Sequence, residues 1–350
     1  MTVRVLYVGS LRPGGNGLDR VAMFQAAGYE AIQADRFAFM QSYTRVERSM
    51  AARFNIGRAV HAFNRMLQAR ARTGGYDVVF VDKGVWIWPS TLGYLKAAAK
   101  DGLAVHYTPD AQFLENRSRH FFNSLPQYDL AVTTKPFECS AYLAAGAQAV
   151  KLIHQGYGSR LHPVSKLEIP AHLRSGVCFI GHYQPHYARL LHYLSRHVSL
   201  KIWGPNWTAY AARNDWARGV VQGDACYGAS YVRALSGAKV AIGLLSKRIP
   251  ETTTTRSFEI PACGTMLLAE RTEDHQALFE EGREAEFFDS AEECVQKAIH
   301  YLENDTARER IAEAGLARCR QSGYSNAEQF GTIMDWLMSR HGPGLKNPER

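Results

Sequence analysis

The stretch Glu251-Thr252-Thr253-Thr254-Thr255-Arg256-Ser257-Phe258-Glu259-Ile260-Pro261-Ala262-Cys263-Gly264 lies between two apolar runs, Ala238–Leu244 and Thr265–Ala269. The flanking runs read as buried strands and the stretch between them as a loop followed by one helix. Four consecutive β-branched threonines make poor helix interior, whereas Thr is a good N-cap. The helix is therefore expected to start near Thr254 or Thr255 and to end with Gly264 just past its C-cap. Pro261 removes a hydrogen bond inside that helix, so a short or kinked one is expected. Its first-turn N–H groups, unpaired and at the positive end of the helix dipole, would form an anion site suited to a phosphate. Two carboxylates, Glu251 and Glu259, frame the stretch with seven residues between them.

Outward from this point, strands and helices alternate in both directions. Gly176–Ile180 reads as a strand ending in Gly181-His182-Tyr183, Tyr187–His197 as a helix, and Leu200–Trp203 as a strand ending in Gly204-Pro205. Trp203 and Trp207 read as core, with a ligand-lining role as the alternative. Helix Tyr227–Ser236 precedes the central stretch; helices Thr272–Glu280, Ala291–Asn304, Asp305–Arg320 and Asn326–Arg340 follow it. Between 155 and 174 the pattern lapses into Gly and Pro, which reads as a linker. Before it lies a second series. Strand Val3–Val8 runs into the glycine-rich Gly9–Gly17 loop and a helix to about Ala27, the opening of a dinucleotide-type α/β domain, though the glycines do not match G-x-G-x-x-G. Strands Glu30–Gln33, Tyr76–Asp82, Leu103–Tyr107, Leu130–Thr133 and Val150–Ile153 continue it. Val46, Met50, Phe54, Val60, Phe63 and Leu67 fit one face of a helix with an interruption at Gly57. The expected organisation is domain 1–155, linker 156–174, domain 175–325, a C-terminal helix 326–341 packing back toward the first domain, and a disordered tail 342–350.

Composition sets further bounds. A chain of 350 residues with 46% apolar content can bury more than one core. No run of about 18 apolar residues occurs, so no membrane span is expected. The apolar part of Met1–Gly9 is too short for a signal peptide. Six cysteines (139, 178, 226, 263, 294, 319) stand far apart without a Cys-x-x-Cys pair, which points to a reduced, cytoplasmic protein without a zinc site. The net charge of +8 is confined to one half: residues 1–170 hold 20 Lys and Arg against 12 Asp and Glu, and residues 171–350 hold 21 of each. Between Arg36 and Arg72 Glu47 is the only acid. A solvated helical face is the plain reading. The sharper one is an anionic or lipid-linked acceptor, with peripheral contact at the inner face of a membrane. No nucleic-acid motif supports the excess charge.

The second half resembles the nucleotide-binding half of a GT-B glycosyltransferase of group 1 type, in its spore-maturation (CgeB-like) branch. The residues that carry the resemblance are Thr254–Gly264, Leu267–Thr272, Leu278–Gly282, Glu284-Ala285, Ile311–Gly315 and Tyr324-Ser325, with weaker echoes at Phe179–Gly181, Ile202–Gly204 and Tyr76–Val79. It implies two Rossmann-like, doubly wound domains facing a cleft, and metal-independent transfer of a sugar from a UDP- or GDP-linked donor, with retention of configuration. By the same resemblance, Glu259 accepts hydrogen bonds from the donor's ribose hydroxyls and Glu251 lies near the transferred sugar. Thr254, Thr255, Lys247, Arg248 and Arg256 would hold the diphosphate, with Gly181, His182 and Gly204 nearby. A carboxylate suits a diol because it accepts two hydrogen bonds. Asp110, just past a strand end, is the candidate acceptor base; Gly14, Gly15 and Gly17 form the candidate acceptor side. There are departures: group 1 members commonly have Gly-Phe-Gly after the first glutamate, where this chain has Thr252–Thr254. No Asp-x-Asp metal mark occurs, and Pro185 separates His182 from His186 in a way that disfavours a helical metal pair. No cofactor is expected beyond the donor, and nothing sets the oligomeric state. Two other readings stay open: a sugar-nucleotide epimerase on the same fold, and a non-catalytic sugar-nucleotide or glycan-binding envelope protein.

Overall fold

A computed structural model describes residues 2–13, 15–224 and 226–340. Gly14 and the tail 342–350 lie outside the described residues. The chain forms two compact units, residues 1–154 with 330–350, and residues 155–329.

The first unit contains β1 (Arg4–Gly9), β2 (Glu30–Asp35), β3 (Val78–Asp82), β4 (Leu103–Thr108), β5 (Leu130–Thr133) and β6 (Val150–Leu152). The second contains β7 (Ser175–Ile180), β8 (Leu200–Trp203), β9 (Val221–Gly223), β10 (Ala238–Gly243), β11 (Met266–Glu270) and β12 (Glu286–Phe288). Each set makes one six-stranded sheet, in the orders β2-β1-β3-β4-β5-β6 and β12-β11-β10-β7-β8-β9. Every pairing is parallel. Parallel neighbours need crossover connections, and the crossover helices cover both sheet faces. That is why the strands read as unbroken apolar runs: all five residues of β3 are buried. Along β1, Leu6 and Val8 join one core while Val5 and Tyr7 join the other, the two-residue period of a sheet buried on both sides.

The last helix, Asn326–Met338, starts in the second unit and crosses into the first, as expected. Its Phe330, Ile333, Met334 and Leu337 are buried with Val5, Tyr7, Phe24, Phe80 and Tyr107. The Phe330 ring lies 5.6 Å from Phe24, 5.7 Å from Phe80 and 5.4 Å from Tyr107. The segment 156–174 packs on the second unit, where Ile169 and Leu173 are buried.

Two features differ from the sequence reading, and a third, the central helix, follows it. The apolar series from Val46 to Leu67 does not share one face. The chain breaks after helix Arg45–Phe54 at Asn55, which is left-handed (φ 56°), and restarts as helix Arg58–Thr73. Val60, Phe63 and Leu67 are buried, whereas Val46, Met50 and Phe54 are exposed. Helix Arg119–Ser124 and edge strand β9 were not anticipated; both are too short to show a period. The central helix spans Arg256–Ala262, with Gly264 at φ +69 beyond its C-cap Cys263, so Pro261 sits in its last turn.

Phe330→Ala should lower the stability of the first unit by about 3–5 kcal/mol, the range for large aromatic truncations in a core. Urea unfolding of the full chain checks this: an unchanged midpoint for the first unit would show that the helix is dispensable to it.

Candidate functional site

In the second unit the chain lays down β7, β8 and β9 in one direction, then returns to lay down β10, β11 and β12 in the other. β7 and β10 are therefore neighbours whose connections diverge, and the crevice past their C-terminal ends is where ligands bind in open α/β sheets. The segments emerging there are Ile180-Gly181 and Leu244–Glu251.

Backbone crowding fixes the β7 side. A Cβ on Gly204 would stand 2.0 Å from the Gly181 carbonyl oxygen, and Gly204 has φ +141. Only glycine fits. Trp207 Nε1 donates to the same Gly181 oxygen at 2.9 Å. Trp203 and Trp207 are both core residues. His182 is exposed beside Gly181.

On the β10 side, the first turn of helix Arg256–Ala262 does not offer the open donors that were expected. Arg256 N donates to Thr254 Oγ1, Ser257 N to Thr254 O, and Phe258 N and Glu259 N to Thr255 O. The Thr254 hydroxyl takes one of these donors, and the carbonyls of Thr254 and Thr255 take the other three. What remains for an anion is the Arg256 guanidinium. Its Nε donates to Ile180 O at 3.1 Å, at the end of β7, and its Nη1 to Thr255 Oγ1 at 2.9 Å. Among the described residues its Nη2 has no protein acceptor. Burial works against its charge, but Tyr231, Glu259, Tyr187 and Glu251 around it outweigh that and raise its pKa. A desolvated, permanently charged cation results.

Glu259 lies on the same helix. Its Oε2 accepts from the Tyr231 hydroxyl at 2.5 Å. Burial, reinforced by Glu259, holds the Tyr231 phenol well above its ordinary pKa, so it remains a donor. Among the described residues no donor is bonded to Glu259 Oε1. Glu251 Oε2 accepts from Ser246 N at 3.1 Å, which ties the glutamate to the loop after β10. Lys247 does not stand ready for an anion: its ammonium pairs with the Glu270 carboxylate. Arg248 is exposed and contributes to the electrostatic surroundings of Tyr187 together with Glu251, Glu270 and Arg256.

A buried relay holds these pieces in register. Glu270 Oε1 accepts from Leu245 N at 3.1 Å, and the Glu270 carbonyl accepts from His275 Nδ1 at 2.7 Å. A carbonyl can only accept, so Nδ1 carries the proton and Nε2 receives the Ser257 hydroxyl at 2.7 Å. Ser257 Oγ in turn accepts from Thr254 N at 3.1 Å. Ser257 and His275 are both buried, so the pair positions the threonine loop rather than acting as a nucleophile. Gly181, Gly204, Glu251, Thr254, Thr255, Arg256 and Glu259 thus come together, with Arg248 nearby. Tyr231, Glu270 and His275 complete the arrangement and were not found from sequence.

In the first unit the corresponding switch point lies between β1 and β3. Asp82 ends β3 and is buried, bonded by Arg20 Nη2 and by the Tyr7 hydroxyl, each at 2.7 Å. Asp82 Oδ1 is buried without a hydrogen-bond partner among the described residues. Next to it, Lys83 (φ +71) pairs with half-buried Asp110, past the end of β4. Gly17 is required by packing, since a Cβ there would stand 2.1 Å from Ser10 O; Gly15 N-caps the helix without such a constraint. Among the described residues no group of three or more His, Cys, Asp or Glu could hold a metal ion. All six cysteines are free.

The model of a family described as glycosyl transferase-like matches residues 184–335, which include the whole β10 side of the crevice. This is a glycosyltransferase domain, and the chain is an enzyme of that class. No curated protein matches this glycosyltransferase in sequence. Solved structures match it in fold. Anabaena HepE (Alr3699) in complex with UDP-glucose aligns with a TM-score of 0.65 at 15% identity, over 96% of this chain and 99% of that one. A glycosyltransferase from Rickettsia africae aligns at 0.68 and 12%, over 98% and 100%. A UDP-N-acetylglucosamine 2-epimerase, so described with reservation, from Listeria monocytogenes aligns at 0.58 and 11%, over 100% and 99%. These likenesses establish the glycosyltransferase's fold as GT-B, with two Rossmann-like units.

The relay makes a pH prediction. Burial holds the His275 imidazole below its ordinary pKa, against smaller opposing effects of the Glu270 carbonyl, Asp274 and Glu270. As pH falls below about 6.5 the unfolded chain takes up a proton that the folded chain refuses. The stabilisation is thus complete above that value and is lost as pH drops toward the folded pKa, by up to about 1.4 kcal/mol per pH unit. Urea midpoints of the second unit should decline between about pH 6.5 and 5, and the decline should be shallower in His275→Phe. Parallel pH profiles for the two proteins would refute this.

Proposed function

We propose that this glycosyltransferase uses a nucleoside-diphosphate sugar, UDP- or GDP-linked, bound at the β7–β10 crevice. The observation that carries the reading is the Glu259 carboxylate, held by Tyr231 through one oxygen, beside the desolvated Arg256 guanidinium. A carboxylate with accepting capacity left suits the vicinal hydroxyls of a ribose, and a fixed cation suits a diphosphate. The UDP-glucose held by HepE on the same fold supports a sugar nucleotide as donor. We place this enzyme in the spore-maturation (CgeB-like) branch on the run Thr254–Gly264.

In the reaction the bond from the sugar's anomeric carbon to the diphosphate breaks, and a bond forms from that carbon to an acceptor oxygen, whose proton leaves to a base. Negative charge grows on the departing diphosphate. Arg256, already fixed by Ile180 O and Thr255, stabilises that charge without having to reorganise, which lowers the barrier. Thr254 and Thr255 serve by shaping the loop, Arg248 as a second cation, and Lys247 only after leaving Glu270. Gly181, Gly204 and His182 border the donor site. Glu251, anchored on Ser246 N, faces the transferred sugar, with retention of configuration. Asp110, paired with Lys83, is the acceptor base. No metal takes part in this scheme. Among the described residues no helix is long and apolar enough to cross a membrane. As part of the same reading we place the enzyme in the cytoplasm, with an anionic or lipid-linked acceptor.

Calorimetric titration with UDP-glucose and with a GDP-sugar tests the site. Glu259→Ala should weaken binding of the recognised donor roughly tenfold or more, the loss of hydrogen bonds to a charged group, and Tyr231→Phe should weaken it less. Equal affinity in wild type and Glu259→Ala would sink the assignment. Turnover should persist in EDTA; activity lost there and restored by added Mg²⁺ would remove the metal-independent scheme. Donor incubated without acceptor should stay unchanged or hydrolyse slowly, whereas conversion to its epimer would favour the epimerase reading.

A further inference from the structure

Helix Arg45–Phe54 is exposed in an unusual way. Val46, Met50 and Phe54 are 69%, 43% and 62% exposed, and at a spacing of four they form one stripe. Ile56, 52% exposed, extends it. Of this helix only Ala51 is buried. Beyond Ile56 the surface opens into a recess of about 340 Å³ lined by Ile56, Val60, Trp88, His61, Ser90 and His120.

This exposure is imposed by the fold. Asn55 Oδ1 accepts from Trp86 Nε1 at 3.1 Å, its Nδ2 donates to Arg117 O at 3.3 Å, and its carbonyl accepts from His120 Nε2 at 3.1 Å. Anchored on these groups, Asn55 points into the unit, and Phe54 and Ile56 on either side of it point out. At the other end Thr44 and Glu47 form a capping box, which fixes the start of the helix locally.

Charge decides what covers the stripe. Arg45, Arg48, Arg53 and Arg58 are all exposed. Glu47, the only acid from 36 to 72, is already paired with Arg58 at 3.4 Å. A second copy seated here two-fold symmetrically would set arginines against arginines. Nucleic acid would satisfy the arginines and leave four apolar side chains unused. An apolar interior beneath a negatively charged surface matches both, because arginine stems lie along apolar surface while their heads reach phosphate.

We infer that the face formed by Val46, Met50, Phe54 and Ile56, flanked by Arg45, Arg53 and Arg58, docks this enzyme on a bilayer of acidic lipids. The inference does not depend on the donor site, because docking is read without sugar nucleotide.

Co-sedimentation of the full chain tests it, with phosphatidylcholine vesicles containing about one-third phosphatidylglycerol and with pure phosphatidylcholine. The chain should bind the acidic vesicles at low salt, bind the neutral ones far less, and be released at high salt. Met50→Ser with Phe54→Ser should reduce the partition coefficient at least tenfold, and Arg53→Gln and Arg58→Gln about fivefold each. Thermal unfolding of these variants should match wild type, since the side chains are exposed. The inference is overturned by absence of binding to acidic vesicles, by variants that bind like wild type, or by size-exclusion behaviour showing a dimer that the same substitutions dissolve.

Discussion

The parallel pairing of β7 with β10, the strands at which the second sheet reverses its direction of growth, is the constraint behind the candidate site. Neither connection can cover the crevice past their ends, because one leaves toward β8 and the other toward β11. Polar loops can therefore approach one another there without burying unpaired groups. The Arg256 side chain spans the gap, joining the loop after β10 to the last carbonyl of β7. Gly204 lets the β8 loop pass against Gly181 at a distance no side chain would tolerate. The site is then a product of topology first and of residue chemistry second: one side is set by backbone contact, the other by a buried chain of hydrogen bonds running from Glu270 to Thr254.

That ordering explains how much could be read from sequence. Parallel strands are buried on both faces, so runs such as Val78–Val81 and Ala238–Leu244 stand out without any knowledge of neighbours. The kinship of Thr254–Gly264 was legible because its residues are consecutive. Tyr231 was not: it is 28 positions from Glu259, and their bond exists only because the helix after β9 and the helix after β10 flank the same strand. His275 was hidden for the same reason. The accounting of backbone donors at Thr254–Glu259 failed locally, since the chain turns tightly enough there for the Thr254 and Thr255 carbonyls, with the Thr254 hydroxyl, to accept from the first-turn donors. Spacing also misled at Val46–Leu67, where regular intervals run through a left-handed Asn55 that redirects the chain.

The two switch points contrast in polarity. The first unit buries Asp82 against Arg20 and Tyr7, with the Arg20 guanidinium 4.9 Å from the Tyr107 ring. Arg36 lies 4.8 Å over Trp86, and burial lowers its pKa, only partly offset by Asp82 and Asp35. Charges so placed are poorly hydrated. Removing one partner of the Arg20–Asp82 pair would leave the other unpaired in the interior, which typically costs about 3–5 kcal/mol. The second unit keeps its paired carboxylate nearer the surface and its cation desolvated, an arrangement suited to a ligand that brings its own negative charge.

Phe330–Met338 completes the core of the first unit although the whole second unit lies between it and β6. On a ribosome this has a temporal meaning. The second unit is contiguous and can close as soon as it emerges. The first must wait with Phe24, Phe80 and Tyr107 uncovered while some 175 further residues are made, on the order of 10–35 s at bacterial or eukaryotic elongation rates. The nascent chain therefore carries an open aromatic face for about half of its synthesis. Its earliest-made half is the last to become native, and that interval is when chaperone capture or aggregation competes with folding.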